Sequence, residues 1–105
     1  KAEEAFNSAI NLDPTNGESL ISLAKLSSKT NQLARAELLY QRAERLSEVK
    51  LAAMLGRAQI YIEQQQYDQA LTLLRQTRKV FPQRHDLDAN IQTLASIVNN
   101  QLKVN

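Results

Sequence analysis

Residues 17–50 read GESLISLAKLSSKTNQLARAELLYQRAERLSEVK, and residues 51–84 read LAAMLGRAQIYIEQQQYDQALTLLRQTRKVFPQR. Laid one above the other, the two blocks put Leu20 over Met54, Ala24 over Ala58, Ala36 over Ala70 and Tyr40 over Leu74. Ala43 falls over Thr77, Leu46 over Val80 and Glu48 over Pro82. The register also runs backwards, with Ala2, Phe6, Ala9, Leu12 and Pro14 standing 34 positions before Ala36, Tyr40, Ala43, Leu46 and Glu48. A fixed period in the range of roughly 20–50 residues is the signature of stacked repeats, each too small to bury its own apolar face. Small residues at recurring positions let helix axes approach closely, and the bulky Tyr40 and Leu74 fill the space between neighbouring units.

Within the blocks the apolar residues recur at helical spacing. The first segment carries Ala2, Phe6, Ala9 and Ile10 and stops at Asp13-Pro14. Thr15 and Glu18 have capping-box spacing, which predicts a second helix opening near Asn16 and carrying Leu20, Leu23, Ala24 and Leu26 to a polar break at Ser28–Gln32. A third is expected over Leu33, Ala36, Leu39, Tyr40 and Ala43, ending near Leu46. Ser47 is the expected N-cap of a fourth, which bears Met54, Ala58, Tyr61 and Ile62 and runs to about Gln65. A fifth carries Tyr67, Ala70, Leu71, Leu74 and Val80 and is closed by Pro82. The last opens near Asp86, with Leu87, Ile91, Leu94, Ala95, Val98 and Leu102 on one face. The expectation is six helices and no sheet, with links so short that consecutive helices run antiparallel.

Composition agrees with helices. The 105 residues suit one domain, and the chain has five aromatics (three Tyr, two Phe), two Gly and two Pro. A net charge of +2 is too small to imply nucleic acid or an anionic membrane by itself. No apolar run approaches the roughly 18 residues of a membrane span, and without cysteine there is neither a disulfide nor a thiolate metal site. None of this separates cytoplasm from periplasm. Lys1 begins mid-pattern, so the chain reads as a piece of something longer.

The pattern resembles the tetratricopeptide repeat (TPR), whose degenerate signature sets large, small, aromatic and Pro positions in a 34-residue helix-turn-helix. Leu20, Leu23, Ala24, Ala36, Tyr40 and Ala43 fill those slots in one unit, and Met54, Ala58, Tyr61, Ala70, Leu74 and Pro82 fill them in the next. Arg57 departs from a usual Leu, Ser27 from a usual Tyr and Glu48 from a usual Pro. Past Arg84 the register puts Asp88 in the bulky slot and Gln92 in the small one, so the repeat stops there. The resemblance implies an all-α fold of antiparallel helix hairpins stacked as a short right-handed α-solenoid. Residues 1–16 would be the second helix of a truncated repeat, 17–50 and 51–84 two repeats, and 85–105 a solvating C-terminal capping helix.

In such stacks the first helix of each hairpin lines a concave groove that holds a peptide. Carried over by register, the groove positions are Glu18, Ile21, Lys25 and Ser28, then Ala52, Leu55, Gln59 and Ile62. Spacings of three and four put each set on one helix face. Ile21, Leu55 and Ile62 fall outside the core slots. The alternative for Ile21 and Leu55 is packing under an upstream hairpin, or plain scatter on the surface. The clamp with which some family members hold a terminal carboxylate is missing, since Lys25 is the one cation among the corresponding positions, which also include Ser22 and Gly56.

Arg75, Arg78, Lys79, Arg84 and His85 form the strongest charge cluster, but on an outer helix such a group reads as a solvated face. His85 beside Asp86 and Asp88 falls short of the three or four converging donors of a zinc site. No nucleophile–base pair and no phosphate loop stands out, so neither catalysis nor a metal or cofactor is expected. The function expected is a non-catalytic protein–protein interaction module that takes a peptide or partner helix. Its Gln- and Asn-rich style resembles bacterial TPR proteins of pilus, secretion, exopolysaccharide or envelope assembly. The alternative is a homo-oligomer formed through an open edge at Phe6 and Ile10.

Overall fold

The structure, a computed structural model, describes residues 16–104. They form α1 (Gly17–Lys29), α2 (Leu33–Ala43), a 3₁₀ turn (Ser47–Val49), α3 (Lys50–Glu63), α4 (Tyr67–Val80) and α5 (Leu87–Val104), with no strand among them. The first expected helix, with Ala2, Phe6, Ala9, Ile10, Leu12 and Pro14, lies outside the described residues, as does the proposed edge at Phe6 and Ile10. α1 pairs with α2 and α3 with α4 as hairpins, α2 packs on α3, and α4 packs on α5. The arrangement is an all-α stack of helix hairpins.

Each hairpin turns in the same way, one period apart. Asn31 and Gln65 adopt the left-handed conformation, with φ of 62° and 61°. Behind Asn31, the Gln32 N–H donates to the Ser27 carbonyl at 2.7 Å and the Asn31 N–H to the Ser28 carbonyl at 3.1 Å. Behind Gln65, the Gln66 N–H reaches the Tyr61 carbonyl at 2.8 Å and the Gln65 N–H the Ile62 carbonyl at 3.0 Å. These are paired Schellman bonds, which satisfy carbonyls that the helix end leaves without partners.

The helix starts differ from expectation. Asn16 caps α1 through its own side chain, Oδ1 accepting from the Ser19 N–H at 3.0 Å, in place of the capping role assigned to Thr15. Ser47 does not cap α3. It opens the 3₁₀ turn, and Val49 holds the cap position without a side-chain hydrogen bond. α2 ends at Ala43, short of Leu46, and the chain tightens into the short 3₁₀ turn that contains Glu48.

The register slots are the core. Leu20, Ala24, Ala36, Ala43, Ala70 and Thr77 are completely buried, and Tyr40, Met54, Ala58 and Leu74 nearly so. Each large side chain buried in this way contributes roughly 1.5–3 kcal/mol. Two clusters result, one between the α1–α2 hairpin and α3, the other between α3, α4 and α5. α3 is their common wall, sending Ala53 and Ile60 into the first and Met54 and Ala58 into the second. The register fails at the slot shared by Leu46 and Val80, where Val80 is 45% exposed.

The three departures each have a physical outcome. Arg57 reaches back to α2, its Nη1 2.6 Å from Glu44 Oε2, while Tyr61 Oη donates to Glu37 Oε2 at 2.9 Å. Burial opposes the Arg57 charge, and hydrogen bonds to Tyr61 and Glu44 outweigh it, so its pKa stands above the ordinary arginine value. Ser27 is completely buried with its hydroxyl unpartnered. Glu48 lies within the 3₁₀ turn, exposed to solvent.

Candidate functional site

The stack is tight at one end and open at the other. Gly17 lets the start of α1 nest against the 3₁₀ turn, because a Cβ there would lie 2.7 Å from Val49 Cγ2. One period on, the same two positions hold Leu51 and Gln83, a pair too bulky for that approach. α1 accordingly meets α3 directly, whereas α5 packs along α4 and barely touches α3. Between α3 and α5, over α4, a cleft of about 490 Å³ results.

Leu55, Ala58, Gln59 and Ile62 line one wall of this cleft, and Leu87, Asn90, Thr93, Leu94 and Ile97 the other. Leu74 and Tyr67 come from α4, and Arg84 and Asp86 stand on the link into α5. Leu55 and Ile62 are half-buried and pack on the second cluster, and Gln59 is exposed. Three of the eight groove positions named from sequence are therefore brought together.

The other five are not in the cleft. Glu18, Lys25 and Ala52 are exposed on α1 and α3, and Ser28 is half-buried. Ile21 is buried in the first cluster at 8% exposure, so it is a packing residue and presents almost nothing to a ligand. Asn90, Thr93 and Ile97 were missed in sequence. Their signal is a spacing of three and four on α5, within a stretch that has no charged residue between Asp88 and Lys103.

The basic cluster is largely consumed internally. Arg84 donates from Nε and Nη2 to the two Asp86 carboxylate oxygens at 2.9 and 2.7 Å. The hydrogen bond from Arg84 holds the Asp86 pKa below its ordinary 3.8. Arg78 pairs with Asp88 at 2.8 Å, donates to the Pro82 carbonyl, and lies 2.7 Å from His85 Nδ1. These contacts lock the link between α4 and α5. Among the described residues no group of three His, Cys, Asp or Glu is placed to hold a metal ion. No described helix is long and apolar enough to cross a membrane.

A tetratricopeptide repeat profile matches residues 5–38, one repeat length. No curated protein matches the chain. Among solved structures the chain is similar to YrrB, a TPR protein with an unusual peptide-binding site, at 25% identity and a TM-score of 0.76. Residues 5–38 thus match a tetratricopeptide repeat, and the chain as a whole shares the fold of TPR proteins. That similarity covers 92% of this chain and 50% of YrrB, so the TPR segment spans about half of that relative. The Arabidopsis OM64 TPR domain shares the fold at 20% identity and a TM-score of 0.73, over 88% of this chain and 76% of that domain. TPR stacks are interaction modules as a class, and the cleft between α3 and α5 is where this one offers a concave, partly apolar surface.

Proposed function

We propose that this TPR segment is a non-catalytic binding module that takes a peptide or partner helix in the cleft between α3 and α5. The observation that carries the reading is the cleft itself: about 490 Å³, with Leu55 and Ile62 half-buried in one wall and Gln59 exposed beside them. Its volume falls in the range of roughly 300–1,000 Å³ typical of ligand clefts, and its composition of apolar walls with a few polar groups is also typical. YrrB, a TPR protein with a peptide-binding site, supports the class of ligand by similarity. Glu18 and Lys25 are exposed on α1, outside the cleft, and carry no part of this reading.

The test is partner capture by the immobilised chain. Leu55→Asp with Ile62→Asp should abolish capture while the far-ultraviolet circular dichroism remains helical. Because both side chains also touch the second cluster, Gln59→Arg with Thr93→Arg, at two exposed positions, provides a variant that leaves the core alone. Capture that survives both changes would rule the cleft out.

A further inference from the structure

We propose that the cleft selects an uncharged, apolar peptide segment, and that α5 is the selecting wall. This rests on the binding reading above and adds the chemistry of the partner. In a chain with 23% charged residues, α5 has none between Asp88 and Lys103. A helix that only solvates the end of a stack has every reason to be charged, and this one presents Asn90, Thr93 and Ile97 to the cleft instead.

Electrostatics decide the class of ligand. The α3 wall is likewise neutral, contributing Leu55, Ala58, Gln59 and Ile62. The ionisable groups that line the cleft, apart from the Tyr67 phenol, are Arg84 and Asp86, and these neutralise each other through two hydrogen bonds of 2.9 and 2.7 Å. A carboxylate or ammonium entering between Leu55, Ile62 and Ile97 would shed water without finding an opposite charge, which is strongly unfavourable. An apolar side chain there loses nothing and gains burial. The carboxamides of Gln59 and Asn90 make no hydrogen bond among the described residues, so each keeps a donor and an acceptor for a peptide backbone. Polar neutral groups beside an apolar floor fit a peptide whose side chains are apolar and whose main chain supplies the hydrogen bonds.

The experiment is a random array of twelve-residue peptides, N-acetylated and C-amidated, probed with the full chain. Retained peptides are expected to carry bulky apolar residues at their centre and to lack Asp, Glu, Lys and Arg there. Placing Asp or Lys at the central position should weaken binding at least tenfold, and a free C-terminal carboxylate should not improve it. Gln59→Lys, at an exposed site that leaves the fold intact, should shift retention towards acidic centres. Preference of the unmodified chain for charged centres, with binding lost in Leu55→Asp/Ile62→Asp, overturns this inference and leaves the binding reading standing. Retention that ignores those two substitutions, or no retention at all, overturns both. Concentration-dependent self-association that Gln59→Lys abolishes would give the cleft to a second copy of the chain and also overturn the proposal.

Discussion

The tip of the Tyr40 ring occupies the space that a side chain on Gly56 would need: a Cβ there would lie 2.3 Å from Cζ and 2.4 Å from Cε1. This contact couples the two hairpins, since Tyr40 is on α2 and Gly56 on α3. Alanine is the better helix former by about 1 kcal/mol, so on an open face the substitution would stabilise. Here the overpacking cost of about 1–3 kcal/mol prevails. Gly56→Ala should therefore lower the urea midpoint, and the loss should vanish in a Tyr40→Leu background. A stabilised single variant would mean that the ring does not fill that space in solution.

The same tyrosine gives the stack an alkaline limit. Burial, reinforced by the negative charge of Glu63, raises the Tyr40 pKa above its ordinary 10.0. A raised folded-state pKa means that the stabilisation is complete below the unfolded value and is lost as pH climbs through the folded one. Tyr40→Phe should reduce the loss of thermal stability in the window that opens above about pH 10. Identical slopes for the two proteins in that window would show that the phenol is not linked to folding.

Ser27 carries a buried hydroxyl with no partner, in the slot where the repeat usually has Tyr. Leaving a polar group in that state costs about 1–3 kcal/mol. Ser27→Ala should raise the melting temperature without altering the helical signal. A drop would indicate that the hydroxyl is satisfied in solution.

Most of the core was legible because burial in a stack follows one period, and Ala36, Ala43, Ala70 and Thr77 are buried because their slots are. What escaped was local chemistry that the period does not carry. That Asn16 caps α1 rests on its own Oδ1 reaching the Ser19 amide, a local contact that no period encodes. Ile21 was assigned to the groove by register, and it is buried because the close α1–α3 contact that Gly17 allows leaves its face no opening. The far wall of the cleft was hidden for the opposite reason: Asp88 and Gln92 end the register, so Asn90, Thr93 and Ile97 belong to no slot.

The pair Arg57–Glu44 tests whether an ion pair or simple packing joins the hairpins. Both side chains are about one-fifth exposed, at 20% and 19%, and the pair is 2.6 Å apart. Removing one partner strands the other, whereas replacing both with neutral groups often costs nothing. Arg57→Leu alone should destabilise by about 1 kcal/mol or more, and Glu44→Gln should restore most of that loss. Additive effects in the double-mutant cycle would show that the two do not interact.

The turns give a sharper test of position. Gln65 holds a left-handed conformation that costs a side-chain-bearing residue about 1–2 kcal/mol, while Asn tolerates it better. Gln65→Gly should stabilise the chain, and Asn31→Gly should do so by a smaller amount. Equal or inverted gains in thermal melts would contradict this ranking.

Those two turns have a further meaning. Each hairpin carries its own stop, its own reversal and its own carbonyl partners, complete within the unit. The connections that leave the hairpins share no such form: the one into α3 is a 3₁₀ turn, the one into α5 a knot of Arg78, Arg84, Asp86 and Asp88. A gene could thus lengthen or shorten the array by whole 34-residue blocks without inventing a new reversal. The geometry left open to selection is then concentrated in the joints, where curvature is decided and where this chain has opened its cleft.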